Sequence, residues 1–362
     1  MYPFRHCMKK GAVAVMLSAA LLPALLLMSP CPLRAEPDPA SRVQAALAFL
    51  RSRIGPRGLI DSYVEDNTDY SYTYDDALAA MAFISAGDMN SARKILDAFQ
   101  TIKAEPEGGF LHRYHANNGQ NAAGILQTGA NTYLLQAMNL YYSRTGDRRY
   151  NELAQRIANY LCRLQDSDGG LFGGSQISWK SSENNIGALS AFHNIATAQN
   201  STYYTERADR IYIFLAIHCW DGTRFLEGKN NHGGVTDAQA LGAIIMGPRY
   251  ANGAFWAEEH TLMTKRIDQQ SVTGFGFDEE SNTIWTEGTL QMSLAFLVAG
   301  NQVKSDTYKA EAEKLIHPSG ALLLACNPGT AGPKWEVKPW QAVAPTAWYV
   351  FVSNRDNVFE MR

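Results

Sequence analysis

The chain has 362 residues, of which 46% are hydrophobic and 19% are charged, so it can bury a large core and is neither a disordered nor a fibrous protein. Its net charge is −3, with 35 acidic against 32 basic residues. This balance argues against nucleic acid and against an anionic membrane surface as partners.

The first 35 residues have the plan of a secretory signal peptide. Basic Arg5, Lys9 and Lys10 precede the apolar run GAVAVMLSAALLPALLLM, and the segment ends in a small residue, Ala35. We expect cleavage after Ala35 and an exported protein, periplasmic or extracellular, without membrane contact afterwards. The apolar run is also about long enough to span a bilayer, so a retained anchor is the alternative. Removal of the leader lowers the net charge to about −7.

Cysteine spacing and motif content exclude several kinds of site. Two of the five cysteines lie in the leader, and the others, Cys162, Cys219 and Cys326, are widely spaced and match no zinc pattern. We expect these three to be buried thiols. The sequence also lacks the glycine-rich motifs that bind nucleotide phosphates. We therefore expect no cofactor and no metal.

Apolar helical patterns alternate with glycine-rich turns along the chain after the leader. Six turns, such as PRGLIDSY, EGGFLHRY and DGGLFGG, each follow a helix with a charged face and precede a helix that is apolar nearly all round. The pattern predicts twelve helices in six pairs, with the apolar helix of each pair inside. Six pairs close into a ring without an exposed end, whereas an open solenoid needs polar caps, which the first and last pairs lack. We predict an all-α fold, an (α/α)6 toroid that forms one domain over residues 36–362.

The starts of the inner helices share a register. One position recurs at 54-residue steps, and then after 50 and 60 residues, at Asp75, Gly129, Glu183, Asp237, Glu287 and Ala347. A closed ring brings the four carboxylates of this column together around one axis. An acid in the first turn of a helix can also simply stabilise the helix dipole, by about 0.3–1 kcal/mol. Asp76, next to Asp75, has no carboxylate counterpart in the other repeats.

With these helix pairs and turns, the chain resembles the six-hairpin, (α/α)6-barrel carbohydrate-active enzymes, a superfamily that includes many secreted glycoside hydrolases. The resemblance covers the whole chain after the leader. It implies a site in the funnel at the inner-helix starts, with carboxylates as acid and base and with aromatic platforms for sugars. A poly- or oligosaccharide would then be the partner. Resemblance of fold does not by itself establish an activity.

Hydrolysis of a glycosidic bond needs one carboxyl group that protonates the leaving oxygen and one carboxylate that activates water or attacks the sugar. We predict that these groups are among Asp75, Asp76, Glu183, Asp237 and Glu287. Glu287 is the candidate acid because Trp285, two residues earlier, could stack on a sugar and raise the acid's pKa by desolvation. Asp75 is the candidate base, and Asp76 is its rival.

Aromatic and polar residues crowd the turns that precede the inner helices. Aromatic faces stack on sugar rings, and histidine and arginine can bond to hydroxyl groups. A tyrosine-rich loop can also simply pack the lid of the barrel. We expect the substrate to contact Tyr70, Tyr72, Tyr74, His112, Arg113, Tyr114, Trp179 and Trp285.

Two other functions fit the same architecture. A polysaccharide lyase would use tyrosine, histidine and arginine, which the HRYH segment at residues 112–115 offers, but its funnel must hold an anionic chain and should be basic. A non-catalytic periplasmic glycan-binding or scaffold protein would keep the carboxylates only as helix caps. In each case we expect a monomer.

Overall fold

Six pairs of α-helices dominate the structure, a computed structural model that describes residues 38–331 and 335–361. The predicted leader, residues 1–35, lies outside the described residues. The outer helices are α1 (Pro39–Ser52), α3 (Met89–Thr101), α5 (Asn151–Arg163), α7 (Thr202–Phe214), α9 (Asn252–His260) and α11 (Gln302–Glu313). The inner helices are α2 (Thr73–Ser85), α4 (Thr128–Thr145), α6 (Ser182–Gln199), α8 (Thr236–Leu241), α10 (Thr286–Val298) and α12 (Val343–Asn354).

The inner helices form a closed ring. Each contacts the next in chain order, and α12 returns to contact α2. Their residues are buried on nearly all sides, whereas an outer helix such as α7 buries one face only. The predicted (α/α)6 toroid is confirmed. Two helices continue as a turn of π-helix, α7 through Leu215–Cys219 and α8 through Gly242–Met246.

Backbone contacts join each repeat to the next and the last repeat to the first. The first N–H of an inner helix donates to a carbonyl in the following turn, as Thr73 N does to His112 O at 3.0 Å. Val343 N closes the ring by donating to Ser62 O at 3.1 Å. A turn glycine allows the last repeat to approach the first closely. Gly320 has φ +91°, and a Cβ there would lie 2.3 Å from the carbonyl oxygen of Ala45.

One polar residue recurs in every inner helix, at what we call the clamp position, the fourth helical residue. Its side chain accepts a hydrogen bond of 2.7–3.0 Å from the backbone N–H of an apolar residue in the preceding turn. Such a buried N–H needs an acceptor, and neither helix nor sheet supplies one here. The pairs are Asp76 with Ile60, Asn131 with Phe110, Asn185 with Leu171, Gln239 with Phe225, Thr289 with Phe275, and Thr346 with Leu322.

Short strands, which the helical pattern did not predict, lie in the connections. They form antiparallel pairs, some of them next to the inner-helix starts. The pairs are β1 (Tyr70–Tyr72) with β2 (Arg113–His115), β3 (Leu262–Ile267) with β4 (Gln270–Phe275), β5 (Leu322–Leu323) with β8 (Gln341–Ala342), and β6 (Gly329–Ala331) with β7 (Trp335–Val337).

The segment after α12, residues 356–360, enters the ring from the side opposite the helix starts; we call it the plug segment. Val358 is fully buried and Phe359 is 5% exposed. Gln136 Nε2 donates to the carbonyl of Val358 at 2.8 Å, and Ser190 Oγ donates to that of Phe359 at 2.7 Å. Both donors lie about two turns beyond the starts of α4 and α6. The plug segment therefore closes the base of the ring.

The expectation of buried thiols is confirmed, because Cys162, Cys219 and Cys326 are free and buried. Within the described ranges, none of the helices has both the length and the apolar character needed to cross a membrane.

Candidate active site

The second residue of each inner helix, which we call the mouth position, faces the axis of the ring. Counted back from the clamp residues, the mouth residues are Tyr74, Gly129, Glu183, Asp237, Glu287 and Ala344. This corrects the column expected from spacing. Asp75 is the third residue of α2 and Ala347 the fifth of α12, because the first and last steps between mouth positions are 55 and 57 residues and not the expected 54 and 60.

Three carboxylates occupy neighbouring mouth positions on α6, α8 and α10. Burial, with smaller contributions from the charges of Asp237 and Glu287, raises the pKa of Glu183 to about 8. Burial likewise raises the pKa of Asp237 to about 7, with a contribution from nearby Glu227. At neutral pH Glu183 is therefore mostly protonated and Asp237 is partly ionised, and the two groups titrate as an interacting pair.

Glu287 lies at the inner side of this set. It is 5% exposed, and its Oε1 accepts a hydrogen bond from the Tyr74 hydroxyl at 2.5 Å and a longer one from Gln291 Nε2 at 3.3 Å. Burial raises the pKa of Glu287 to about 8, although the Tyr74 hydrogen bond opposes this rise. Asp75 contributes a further upward effect.

The adjacent acids Asp75 and Asp76 have different surroundings. Burial raises the pKa of Asp75 to about 7, and a hydrogen bond with Ser62 opposes the rise. Asp76 is the clamp residue of α2: its Oδ1 accepts from Ile60 N at 2.8 Å and its Oδ2 from Ser71 Oγ at 2.6 Å. The bond to Ile60 N matches those that the asparagines of the next two repeats accept, so the contacts of Asp76 favour a structural role over that of a rival base.

A cavity of about 400 Å³ opens beside the carboxylates. Glu183 and Asp237, both partly exposed, line it, whereas Glu287 and Asp75 are buried behind it. Trp179 is 55% exposed and lies at its edge. The other polar side chains around it include Asn184, Glu227, Lys229 and Asn231.

The residues of repeats 1 and 2 that are expected to contact sugar pack against one another in a cluster of aromatic and basic side chains. The guanidinium of Arg113 lies 4.4 Å from the centre of the Tyr70 ring, and its Nε donates to the Ala122 carbonyl. Tyr72 lies 6.1 Å from the ring of His112. Tyr70, Tyr72, Tyr74, His112 and Arg113 all keep partial exposure.

Two of the expected platforms are buried instead. Tyr114 is 3% exposed, and its hydroxyl accepts from Leu111 N at 2.8 Å. Trp285 is 4% exposed and packs edge-on against Phe277, with ring centres 5.5 Å apart. Because neither ring has an exposed face, these two residues do not have the exposure that stacking on a sugar requires.

Several residues at the site are not marked by the register of the repeat. Tyr133 and Trp348 each come four residues after a mouth position, so one helical turn carries them to the same face. Tyr133 is 1% exposed and packs edge-on against Tyr74 at 4.5 Å. Burial raises its pKa well above the ordinary value, and the charges of the three mouth carboxylates add to the effect. Applying the i+4 spacing to a correct register would have identified both residues.

Tyr63 was missed for another reason. It belongs to the turn before α2 and lies beside Tyr72 and Trp340, at 6.1 and 5.8 Å between ring centres. Burial, together with the nearby charge of Asp75, raises its pKa well above the ordinary value. No helical periodicity reaches this turn, so only the contact across the ring closure reveals it. Among the residues that the structure describes, no group of three histidine, cysteine, aspartate or glutamate side chains is placed to hold a metal ion.

Comparison with known proteins gives matches in structure. No protein-family model and no curated protein matches the sequence. A solved glycosidase variant in complex with glucose matches 88% of this chain and 96% of its own, with 11% identity and a TM-score of 0.69. The glucoamylase of Hormoconis resinae matches 88% of this chain and 73% of its own, with 16% identity and a TM-score of 0.66.

A third structure is an inactive variant of an alpha-1,6-mannanase from Salegentibacter sp. HEL1_6 in complex with alpha-1,6-mannotriose. It matches 89% of this chain and 100% of its own, with 12% identity and a TM-score of 0.59. At such identities the likeness concerns the fold. The chain thus shares the (α/α)6 toroid of these glycosidases, as the sequence resemblance implied.

Proposed function

We propose that the protein is an exported glycoside hydrolase that cleaves a poly- or oligosaccharide by carboxylate acid/base catalysis. The observation that carries the proposal is the meeting of Glu183, Asp237 and Glu287 at neighbouring mouth positions, two of them on an open cavity. Bringing three acids together in a cleft costs folding free energy, so such a cluster is typical of a functional site. The fold shared with glycosidases and the leader pattern of residues 1–35 support the proposal.

Glu183 is the general acid in this proposal. Its pKa of about 8 keeps it protonated at neutral pH, and its place on the cavity lets it reach a glycosidic oxygen. Glu287 has a similar pKa, but it is almost fully buried and bound to Tyr74. We therefore move the acid role from Glu287, the candidate from sequence, to Glu183.

Asp237 is the base. It lies on the same cavity, and its pKa of about 7 leaves it ionised in part at neutral pH. Its negative charge raises the pKa of Glu183, so ionisation of the base helps the acid to keep its proton. Glu287 and Asp75 form a second acidic layer behind this pair.

The cavity suits an uncharged sugar. Trp179 offers an exposed ring for stacking, and Asn184 and Asn231 offer amide groups that can bond to hydroxyls. The charge of Glu227 and the partly ionised Asp237 would repel a polyanionic chain. Of the residues that a lyase would need, Arg113 is held against Tyr70 and Ala122, and Tyr114 is buried. These contacts favour hydrolysis over elimination.

The experiment is a panel of gluco- and manno-oligosaccharides incubated with the purified protein, with the products resolved by mass spectrometry. We expect hydrolysis of at least one class, and a loss of about 100-fold or more in Glu183→Gln. Asp76→Asn is the matched control, because it removes a nearby buried acid whose oxygens accept hydrogen bonds from Ile60 N and Ser71 Oγ.

The other outcomes identify the alternatives. Products that carry a new double bond would indicate a lyase. Saturable binding without cleavage would indicate a glycan-binding protein. Equal loss of activity in the Glu183 and Asp76 variants would mean that the acid assignment is wrong.

A further inference from the structure

The plug segment reaches the carboxylates through a line of aromatic contacts. Phe359 meets Tyr133 edge-on, with ring centres 5.8 Å apart and planes at 87°. Tyr133 meets Tyr74 in the same way at 4.5 Å, and the Tyr74 hydroxyl donates to Glu287. Three side chains thus connect the base of the ring to an acid at its mouth.

Phe359 also supports a second neighbour of Glu287. Its ring lies 5.8 Å from that of Trp348, with the planes at 31°. Trp348 is fully buried on α12, and its indole contributes a downward effect on the pKa of Glu287. Tyr74 and Trp348 approach Glu287 from different helices, so one phenyl ring supports both groups from below.

Polar side chains of the inner helices hold the backbone of Phe359 in place. Asn194 Nδ2 donates to the carbonyl of Phe359 at 2.9 Å and to Gln136 Oε1 at 2.8 Å, and Ser190 Oγ donates to the same carbonyl at 2.7 Å. The side chains of Asn194, Ser190 and Gln136 are all at least nine-tenths buried. Burial of a polar side chain inside the toroid costs free energy unless the side chain makes hydrogen bonds. Here the plug segment supplies the hydrogen-bond partner. A salt bridge of 2.8 Å between Arg144 and Asp356 anchors its first residue.

We infer that Phe359 is a positioning residue: by holding Tyr133 and Trp348 from below, it fixes the direction in which the Tyr74 hydroxyl meets Glu287. Its use in catalysis rests on the proposed function, whereas its effect on Glu287 does not. An apolar plug with no such role would need only to fill space.

The pH behaviour of Glu287 depends on every ionisable group that faces it. These groups are Tyr74 and Asp75 on α2, Tyr133 on α4, Glu183 on α6, Asp237 on α8, and Tyr63 in the turn before α2. Replacement of Phe359 changes none of these charges. A change in the pKa of Glu287 in such a variant would therefore indicate that its neighbours have moved.

The test is a double-mutant cycle of Phe359→Leu and Tyr74→Phe, with kcat and KM measured on the cleaved substrate. We expect Phe359→Leu to lower kcat by roughly 10- to 100-fold with little change in KM, because a small misplacement of catalytic groups has this cost. In the Tyr74→Phe background the same replacement should lower kcat no further. If the two substitutions lowered kcat by independent factors that multiply in the double variant, the inference would be wrong.

Val358→Ala is the matched control, because Val358 is a fully buried neighbour in the plug segment with an aliphatic side chain. It should lower Tm without lowering kcat. An equal loss of kcat in this variant would show that loosening of the plug is sufficient and would overturn the inference. Phe359→Met provides a second test if Phe359→Leu does not fold.

A measurement without substrate separates this inference from the hydrolase proposal. Infrared titration follows the protonated carboxyl band of Glu287, identified by its loss in Glu287→Gln. We expect Tyr74→Phe to raise this pKa by about one unit, and Phe359→Leu to shift it in the same direction. If the band shifts and no glycan is cleaved, the positioning role stands and the hydrolase proposal fails. If Phe359→Leu leaves the band unmoved, the positioning role fails.

Discussion

The clamp and mouth positions lie two residues apart on the same six helices and differ in how they vary. Aspartate, asparagine, glutamine and threonine all occur at the clamp position, yet each accepts a hydrogen bond from the turn before it. The mouth position carries tyrosine, glycine, alanine and three acids, and the acids are confined to α6, α8 and α10. A constant interaction with varied residue types indicates a structural joint. A varied chemistry confined to one side of the ring indicates a site.

The largest expected effect is at a mouth carboxylate. Asp237→Asn should lower kcat by about 100-fold or more while KM stays within a few-fold, because the amide cannot take a proton from water. Steady-state kinetics on the substrate found in the panel would measure this. Asn231→Ala, a change on the same cavity, should act mainly on KM. A full loss of kcat in Asn231→Ala alone would contradict the division between catalysis and binding.

The next effect is on stability, at the clamp position. Asn185→Ala leaves the buried N–H of Leu171 without its acceptor, which now lies at 2.7 Å, and should lower the free energy of unfolding by about 1–3 kcal/mol. Urea unfolding measures it. Glu183→Gln, two residues away at the mouth, is the control and should not destabilise the fold. If the mouth variant destabilised as much as the clamp variant, the two positions would not differ in role.

The buried acids also predict how stability changes with pH. The pKa values of Asp75, Asp76, Glu183, Asp237 and Glu287 lie at about 7 to 8 in the fold and near 4 in the unfolded chain. The folded state therefore binds more protons between these values, and the free energy of unfolding should fall as pH rises from about 4 to 8.

Urea unfolding at pH 5 and pH 8 measures this fall, and Glu287→Gln should make it smaller. Below about pH 4 the sign reverses, because Asp168 then loses ion pairs. Burial raises its pKa, but hydrogen bonds from Lys180 and Lys229 outweigh this and lower the value to about 2. A stability that rises between pH 5 and 8 would contradict the buried cluster.

The smallest effect is expected for Asp76→Asn. Asparagine occupies the clamp position in the next two repeats, and its amide oxygen can accept from Ile60 N as Asn131 accepts from Phe110 N. Activity should stay within a few-fold, and stability within about 0.5 kcal/mol. Rates and urea midpoints compared with the unchanged protein measure both. A loss of activity near that of Asp237→Asn would return Asp76 to the catalytic set.

Much of the fold could be predicted from the sequence because the repeat is periodic. The helix pairs, the closed ring and the mouth carboxylates Glu183, Asp237 and Glu287 all follow from apolar spacing and from nearly equal steps between repeats. The register failed at the first and last repeats. There the steps between mouth positions are 55 and 57 residues, whereas spacing alone suggested 54 and 60.

Other features depend on contacts that no local pattern encodes. The burial of Trp285 follows from its packing on Phe277, and the role of Asp76 follows from a bond to a residue in the preceding turn. The plug segment has no helical period, and its partners Gln136 and Ser190 lie far away in the sequence. Periodicity identifies elements that repeat, and it does not reveal the segments that occur once.

The bond between Val343 N and Ser62 O has a consequence for folding. The ring closes by contacts between the first turn and the last inner helix, so α2 keeps an open apolar flank until α12 has been synthesised. Joining such distant segments costs loop entropy before it brings any stabilisation, which slows folding and lengthens the life of partly closed forms. Those forms expose apolar surface and are prone to aggregate. We therefore expect refolding to depend strongly on protein concentration, and chains that lack the last helix pair to associate through the exposed flank.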